Sequence, residues 1–148
     1  MDWSEINTQA DADALMTVFG GFHDACIREA HLWTDHWVSA DLSMSCSGDL
    51  DNRIRLLIQR QFVNPSAIEM FFEEVTRFSL VPTPENYDSV IFEATLLVRD
   101  GSVFWSPEGN WNPEDPDRDA VTWISARCCR WRAVDWMGEP LHYGPKDE

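Results

Sequence analysis

The sequence predicts an α+β fold with one N-terminal helix and a mainly antiparallel sheet, curled or sandwiched, of about six or more strands. Several segments alternate apolar and polar residues with a period of two, which indicates strands with one buried face. Asp100-Gly101, between two apolar runs, is typical of a two-residue hairpin turn. The 148 residues suit one domain, with a helix at about 8–19, a sheet at about 23–134 and a C-terminal tail at 137–148.

The N-terminal segment has helical spacing and clear end signals. Asn7 or Thr8 is suited to cap the helix, because a short polar side chain can accept from the first free N–H groups. Gly20-Gly21 is expected to end it, since glycine tolerates the left-handed conformation of a terminating residue. The apolar stripe that would pack on a sheet consists of Leu15, Val18 and Phe19.

The stretch from Phe22 to Trp37 holds three of the four histidines. Helical spacing separates its polar and apolar residues better than strand alternation does. The aromatic residues at 33–37 and the extended segments that follow favour a strand instead. We interpret 23–33 as a strand, with a helix as the alternative. A continuous strand would place Ala25, Ile27, Glu29, His31 and Trp33 on one face.

Further strands are predicted at 38–46, 53–63, 68–80, 89–98, 102–105 and 121–134. Glu73-Glu74 breaks the alternation of its strand, so a bulge is expected there. The Asp100-Gly101 turn sets a register that pairs Arg99 with Ser102 and Leu97 with Phe104. Residues 106–120 form a long acidic loop, and the glycine- and proline-containing segment from Met137 onward is expected to fray.

The formal net charge is −15, from 26 acidic and 11 basic residues. No basic patch is present to neutralise phosphates, which argues against direct nucleic-acid binding and against anionic membrane surfaces. Ten of the basic residues are arginines, lying mostly in predicted strands, and Lys146 is the only lysine. We expect these arginines to form structural ion pairs with the glutamates of the sheet.

No apolar run reaches the roughly 20 residues that a membrane span needs. The acidic N-terminus does not resemble a secretory signal. The four cysteines, Cys26, Cys46, Cys128 and Cys129, match neither a disulfide framework nor a zinc motif. We therefore expect a cytoplasmic protein with reduced thiols, and the oligomeric state is left open.

Two sets of residues suggest chemistry or ligand binding. His31 and His36, with Glu29, would be the candidates in a small hydrolase or a metal-dependent enzyme. Their spacing matches no zinc motif, so neither a metal nor a cofactor is expected. A small-molecule-binding module would instead use a tryptophan-rich surface to stack a ring, with candidates Trp33, Trp37, Trp105 and Trp111.

The acidic loop is the candidate protein-binding region. Trp111 would serve as an aromatic anchor inside a charged rim. The rim would include Asp115, Asp117 and Asp119. Such a surface would attract a basic protein partner and raise its association rate.

Phe22-His23-Asp24-Ala25-Cys26-Ile27, followed by short strands, resembles small uncharacterised bacterial domains that open with F-H-D-x-x-I. Some of these are similar to immunity proteins of polymorphic-toxin systems. The resemblance covers six residues and a general strand order, and it implies a cytoplasmic α+β protein that binds a partner. Of the three functions considered, the sequence favours an immunity-like protein-binding module over an enzyme or a small-molecule-binding module.

Overall fold

Residues 2–145 are described by a computed structural model of the chain. It shows an α+β fold with one α-helix and a mainly antiparallel, curled sheet, as the sequence predicts. The elements, in chain order, are β1 (Ser4–Glu5), α1 (Gln9–Val18), a 3₁₀ turn (Gly20–Phe22), β2 (Ala25–Trp33), β3 (Trp37–Val38), β4 (Met44–Ser45), β5 (Arg53–Arg60), β6 (Ala67–Ser79), β7 (Thr95–Arg99), β8 (Ser102–Ser106), a second 3₁₀ turn (Arg118–Ala120) and β9 (Trp123–Val134).

Seven strands form one sheet in the order β2-β5-β6-β9-β8-β7, and β1 pairs with β9 beside β8. All the strand pairs are antiparallel. One bridge between Ala25 and Ile91 joins β2 to the segment that precedes β7. The bridge therefore ties the start of β2 to the segment that leads into β7, and the sheet curls around the core without closing.

The helix α1 is held by reciprocal hydrogen bonds at its start. The Thr8 hydroxyl accepts from the backbone N–H of Asp11 at 3.2 Å, and the Asp11 carboxylate accepts from the backbone N–H of Thr8 at 3.0 Å. This arrangement satisfies two N–H groups that have no partner inside the helix. Gly20 and Gly21 have φ of 60° and 67°, so the chain turns after the helix as predicted.

The core lies on the inner face of the sheet, which is the face turned towards α1. Ala12 and Leu15 of the helix are fully buried against it. The alternation predicted for β5 and β6 is confirmed, because their alternate apolar residues enter this core: Ile54, Leu56, Ile58, Ile68, Met70 and Phe72. Glu74 has a positive φ, and the register with β9 shifts between Val75 and Arg77, which places the irregularity of β6 just beyond the predicted bulge.

The hairpin predicted at Asp100-Gly101 is confirmed. These two residues have φ of 51° and 75°, and Arg99 pairs with Ser102 while Leu97 pairs with Phe104. The strand predicted at 89–98 is shorter than expected. Only Thr95–Arg99 is regular, because the preceding residues cross to β2 through Ile91 instead of pairing with β8.

The strand predicted at 38–46 is wrong. These residues form part of a small hairpin, with β3 and β4 pairing only at Trp37–Ser45 and Val38–Met44. Its alternation is real, but the hairpin lies outside the seven-stranded sheet, and Val38, Leu42 and Met44 are exposed. Alternation shows that a strand could have an apolar face, and it does not show that anything covers that face.

The strand interpretation of 23–33 is confirmed by β2, but the predicted face is wrong. A bulge at Arg28 shifts the register, so that Ile27 pairs with Ile58 while Glu29 pairs with Leu57. One extra residue moves every following side chain to the opposite face. Glu29, His31 and Trp33 therefore lie on the outer face, away from α1, whereas Ile27 keeps the inner orientation.

The C-terminal tail does not hang free as far as the structure describes it. Its backbone N–H groups at 142, 143 and 144 all donate to the carboxylate of Glu29. Trp136 and Tyr143 pack against a small second cluster formed by Leu57, Ala67 and Val134. The fraying expected from Met137 onward is thus wrong for residues up to 145, and residues 146–148 of the predicted tail lie outside the described residues.

Candidate functional site

The outer face of the sheet carries alternating arginines and aromatic rings. The guanidinium of Arg55 lies 4.7 Å from the ring centroid of Phe71, and that of Arg130 lies 4.9 Å from the same ring. The ring of Trp3 contacts two further guanidinium groups, with centroid distances of 5.0 Å to Arg130 and 4.4 Å to Arg132. Each such contact stabilises the fold by about 0.5–1 kcal/mol where it is exposed. The ion pairs predicted for the strand arginines are also present, with Glu69 and Glu73 as their partners.

Glu69 is the most deeply buried charged residue on this face, with no exposed surface. Its Oε1 accepts from Arg132 Nη2 at 2.9 Å, and its Oε2 lies 3.9 Å from Arg55 Nη1. The hydroxyl of Tyr143 also donates to Oε2. Burial, and next the bond to Glu69, raise the pKa of Tyr143, so the phenol remains protonated and holds the tail in place.

Two of the predicted catalytic candidates lie at the tail. Burial by itself would raise the pKa of Glu29, but the N–H groups of 142–144 and the charge of Arg28 outweigh that effect and lower it. Glu29 is therefore a structural acceptor for the tail. His31 stacks on Trp33 with ring centroids 4.8 Å apart and lies 6.0 Å from the ring of Tyr143.

His36 lies in the loop after β2 and pairs with a different carboxylate. Its Nδ1 is 2.7 Å from Oδ2 of Asp51, which also accepts from the backbone N–H of Asp35 at 3.1 Å. Within residues 2–145, no three His, Cys, Asp or Glu side chains are grouped so that they could hold a metal ion. The geometry thus gives His31 and His36 separate structural partners.

The acidic loop is ordered around Trp111. That tryptophan is only 7 % exposed, its indole N–H donates to the carbonyl of Arg118, and its ring centroid lies 5.0 Å from that of Trp123. It holds the loop on the sheet and is not available as the exposed anchor that the sequence suggests. Asp119 is also engaged, because its Oδ1 accepts from Trp123 Nε1 and from Arg77 Nη2, both at 2.9 Å.

Asp115, Asp117 and Asp119 are all exposed, but Asp115 and Asp117, unlike Asp119, form no salt bridge with another described residue. Asp115 Oδ1 accepts from the backbone N–H of Asp117 at 3.0 Å, which fixes the turn and leaves both carboxylates at the surface. The bonds to Asp119 have a different effect: the Trp123 indole, and then Arg77 and Arg118, hold the pKa of Asp119 below its usual range. Asp119 therefore serves the loop's structure, and Asp115 and Asp117 form its charged surface.

A cleft of about 670 Å³ opens beside the acidic loop. We call it the β2 cleft, because Ile27 of β2 forms one wall. The second wall is the segment 80–91, and the two ends of the acidic loop, 107–108 and 120–122, form the remainder. Its size falls within the roughly 300–1,000 Å³ of ligand sites.

The walls of the β2 cleft are largely apolar, and its charged residues are acidic. Asp88 and Glu108 are the only charged residues that line it among those described. Large apolar side chains of the cleft are exposed, among them Leu80, Val81, Tyr87 and Val90. Clustered exposed apolar residues beside a polar rim are typical of a surface that binds another molecule.

The tryptophans predicted for ring stacking do not form one surface. Trp105 lies in the core and Trp111 lies under the acidic loop. Trp37, on the small hairpin, is the only exposed tryptophan among the described residues. No tryptophan of residues 2–145 lines the β2 cleft or a second cleft, of about 510 Å³, near Pro65 and Val134.

In comparisons with known proteins, no family model matches this chain, and no curated protein or solved structure matches it either. Within the described part of the chain, no helix is long and apolar enough to cross a membrane. The function of this chain is therefore inferred from its own geometry.

Sequence reasoning did not identify the β2 cleft. The run from Leu80 to Phe92 contains two prolines and several large apolar residues, which is unusual for a loop that faces water. That composition is the one local indication of a binding surface at these residues. It does not identify the cleft, because residues 89–98 also alternate like a strand and the contact of Ile91 with β2 is long-range.

Proposed function

We propose that this chain is a protein-binding domain, an immunity-like inhibitor that engages a basic protein through the β2 cleft and the adjacent acidic loop. The observation that carries the proposal is that an apolar cleft and an acidic loop lie next to each other. An exposed apolar cleft is bounded by both ends of a loop that displays carboxylates.

The apolar part supplies the contact area. Leu80, Tyr87 and Val90 are exposed around a concave surface, so a partner that inserts an apolar or aromatic side chain would bury them together with its own group. Burial of apolar surface contributes about 25 cal/mol per Å² before the costs of association. Partners usually gain most of their affinity from a few such central residues.

The acidic residues of the cleft and the loop determine which partners are attracted. The net charge of −15 gives the whole surface a negative field. Asp88 and Glu108 line the cleft itself, and Asp115 and Asp117 lie on the loop whose two ends bound it. A negative field repels phosphate backbones and attracts basic proteins. Proteins that bind nucleic acid carry basic surfaces, so a nuclease toxin is the class of partner that fits both this charge and the immunity-like opening sequence.

The test begins with capture of a partner by the immobilised chain from its host, followed by association kinetics with the purified partner at two salt concentrations. The loop variant combines Asp115→Asn and Asp117→Asn, since asparagine retains the oxygen that accepts from residue 117. The control combines Asp2→Asn and Glu5→Gln, which removes the same amount of charge at exposed positions on or before β1.

We expect association with the parent chain to slow as salt rises, because ions screen the attraction. The loop variant should associate several-fold more slowly at low salt, and the control should change less. If no partner is recovered, or if both variants slow association equally, then the acidic loop is only a solvated surface and the proposal fails.

A further inference from the structure

The β2 cleft begins where the curled sheet fails to close. At the bridge, the backbone N–H of Ile91 donates to the carbonyl of Ala25 at 2.7 Å, and the N–H of Asp24 donates to the carbonyl of Ile91 at 2.9 Å. These bonds form one rung of an antiparallel ladder. The next rung would involve Ile27 and Ser89, but there the chains part and both residues line the cleft.

Beyond this rung, β2 is an edge strand. Within residues 2–145 it pairs with β5 along its length and with no other strand on its second side. Alternate N–H and C=O groups of an edge strand point outwards and can pair with another chain. Ile27 and Leu32, the large inward-facing residues of this edge, are exposed because no strand lies beside them.

The edge at the opposite end of the sheet, which is β7, is covered by a side chain. The side-chain amide of Gln9 reaches the edge of β7, where Oε1 accepts from the N–H of Val98 at 2.9 Å and Nε2 donates to the carbonyl of Leu96 at 3.2 Å. This side chain occupies the positions that a neighbouring strand would use. The fold therefore protects one edge from pairing and leaves the other beside an apolar cleft.

We propose that the partner's bound segment is an extended strand that adds to the outer edge of β2 and fills the β2 cleft. This inference rests on the proposed protein-binding function and specifies how binding occurs. The segment would continue the ladder that begins at the Ala25–Ile91 bridge, with an interruption at the Arg28 bulge and resumed pairing along Glu29–Trp33.

The chemistry of the cleft defines the segment. Apolar side chains at alternate positions would face Ile27 and Val90, because successive residues of a strand point to opposite sides. Arginine or lysine at the intervening positions would be attracted by the negative charge of Asp88 and Glu108, and no basic residue lines the cleft among those described. The backbone bonds provide affinity, and the alternating side chains provide selectivity.

The test uses an array of fluorescein-labelled nine-residue peptides with arginine at alternate positions and Val, Leu, Ile or Phe at the others. Each peptide has two controls, one with alternate backbone nitrogens methylated and one with glutamate replacing arginine. Binding to the full chain is measured by fluorescence anisotropy, and hydrogen exchange locates the protected amides. We expect the unmodified peptides to bind, the methylated ones to bind at least about tenfold more weakly, and protection to appear in residues 27–33.

Two variants distinguish the cleft from general charge attraction. Val90→Lys places a positive charge in the cleft wall, where it would repel the arginines of the peptide. Val63→Lys makes the same charge change at a residue that does not line the cleft. Both valines are exposed, by 52 % and 73 %, so both variants should fold. We expect Val90→Lys to weaken peptide binding at least about tenfold and Val63→Lys by less than about threefold.

Strand addition is overturned if no unmodified peptide binds, if methylated and unmodified peptides bind equally, or if protection appears outside residues 27–33. These failures remain distinct from failure of the proposed function. A captured basic partner whose association depends on salt and on the acidic loop would uphold protein binding while excluding the edge of β2 as its site.

Discussion

Replacing Glu69 by glutamine tests whether the buried carboxylate holds the outer face together. Glutamine keeps the shape and one acceptor oxygen but removes the charge that Arg132 and Arg55 share. Breaking a buried ion pair costs about 3–5 kcal/mol. We expect the lower end, about 3 kcal/mol, because the two arginine side chains are 25 % and 34 % exposed and water screens part of the loss.

The same strand offers a matched control. Glu73 lies four residues further along the same face, with Arg130 at 3.5 Å and Arg53 at 3.8 Å, but its side chain is 35 % exposed. Glu73→Gln should therefore lower the free energy of unfolding by at most about 1 kcal/mol. In a domain of this size the Glu69 change corresponds to a melting temperature that is roughly 6–12 °C lower.

The assay is urea denaturation of the parent chain and both variants, followed by fluorescence and by circular dichroism to check that the two transitions coincide. Adding Tyr143→Phe to each background measures the coupling between the tail and Glu69. If both glutamine variants lower the free energy of unfolding by the same amount, the reasoning is refuted. The buried Glu69 would then contribute no more to stability than the partly exposed Glu73. A missing coupling with Tyr143 would refute the proposed attachment of the tail.

Three further outcomes follow from single contacts. Because the pKa of Glu29 is lowered in the folded state, its contribution to tail docking should be complete above the ordinary glutamate pKa. The contribution should then decline as pH falls below that value and be gone once pH has passed through the lower pKa of the folded state. Hydrogen exchange at residues 142–144 measures this, and Glu29→Gln should remove the pH dependence. Gln9→Ala should uncover the edge of β7, because it removes both side-chain bonds to that strand. We expect the free energy of unfolding, measured by urea denaturation, to fall by about 1–2 kcal/mol, and self-association in analytical ultracentrifugation to increase. Unchanged stability would argue against this role of Gln9. Two cysteines, Cys46 and Cys128, are exposed, but burial and then the hydrogen bond to Glu74 raise the pKa of Cys128, so Cys46 should react first with a thiol reagent. Burial raises the pKa of Cys129, which should react only on unfolding. Loss of the fast phase in Cys46→Ser confirms the assignment.

The predictable parts of this fold are those whose cause lies within a few residues. The Asp100-Gly101 turn has the positive φ angles that this pair favours, and the strand register on both sides follows from that turn alone. The helix begins at Gln9 because Thr8 caps it: the Thr8 hydroxyl and the Asp11 carboxylate each accept from the other residue's backbone N–H. For β5, regular alternation identified the buried face correctly, since the strand contains no bulge.

The parts that sequence reasoning misplaced depend on distant contacts. The tail docks because Glu29 accepts from N–H groups more than a hundred residues away, and nothing in the glycine- and proline-containing segment itself indicates that partner. Trp111 sits in an acidic loop and looks like a surface anchor, yet its ring packs on Trp123 of the last strand. For the tail and for Trp111, local composition predicts exposure. In the structure both are held against the sheet by residues that are distant in sequence.

The bulge at Arg28 connects these errors with the proposed site. Without it, Glu29, His31 and Trp33 would continue on the same face as Ile27, as the sequence predicts. With it, Glu29 points outwards and receives the tail, while Ile27 remains at the inner wall of the β2 cleft. One unpaired residue therefore divides β2 into two parts with different roles. The part before the bulge meets Ile91 and opens the cleft, and the part after it anchors the tail on the outer face.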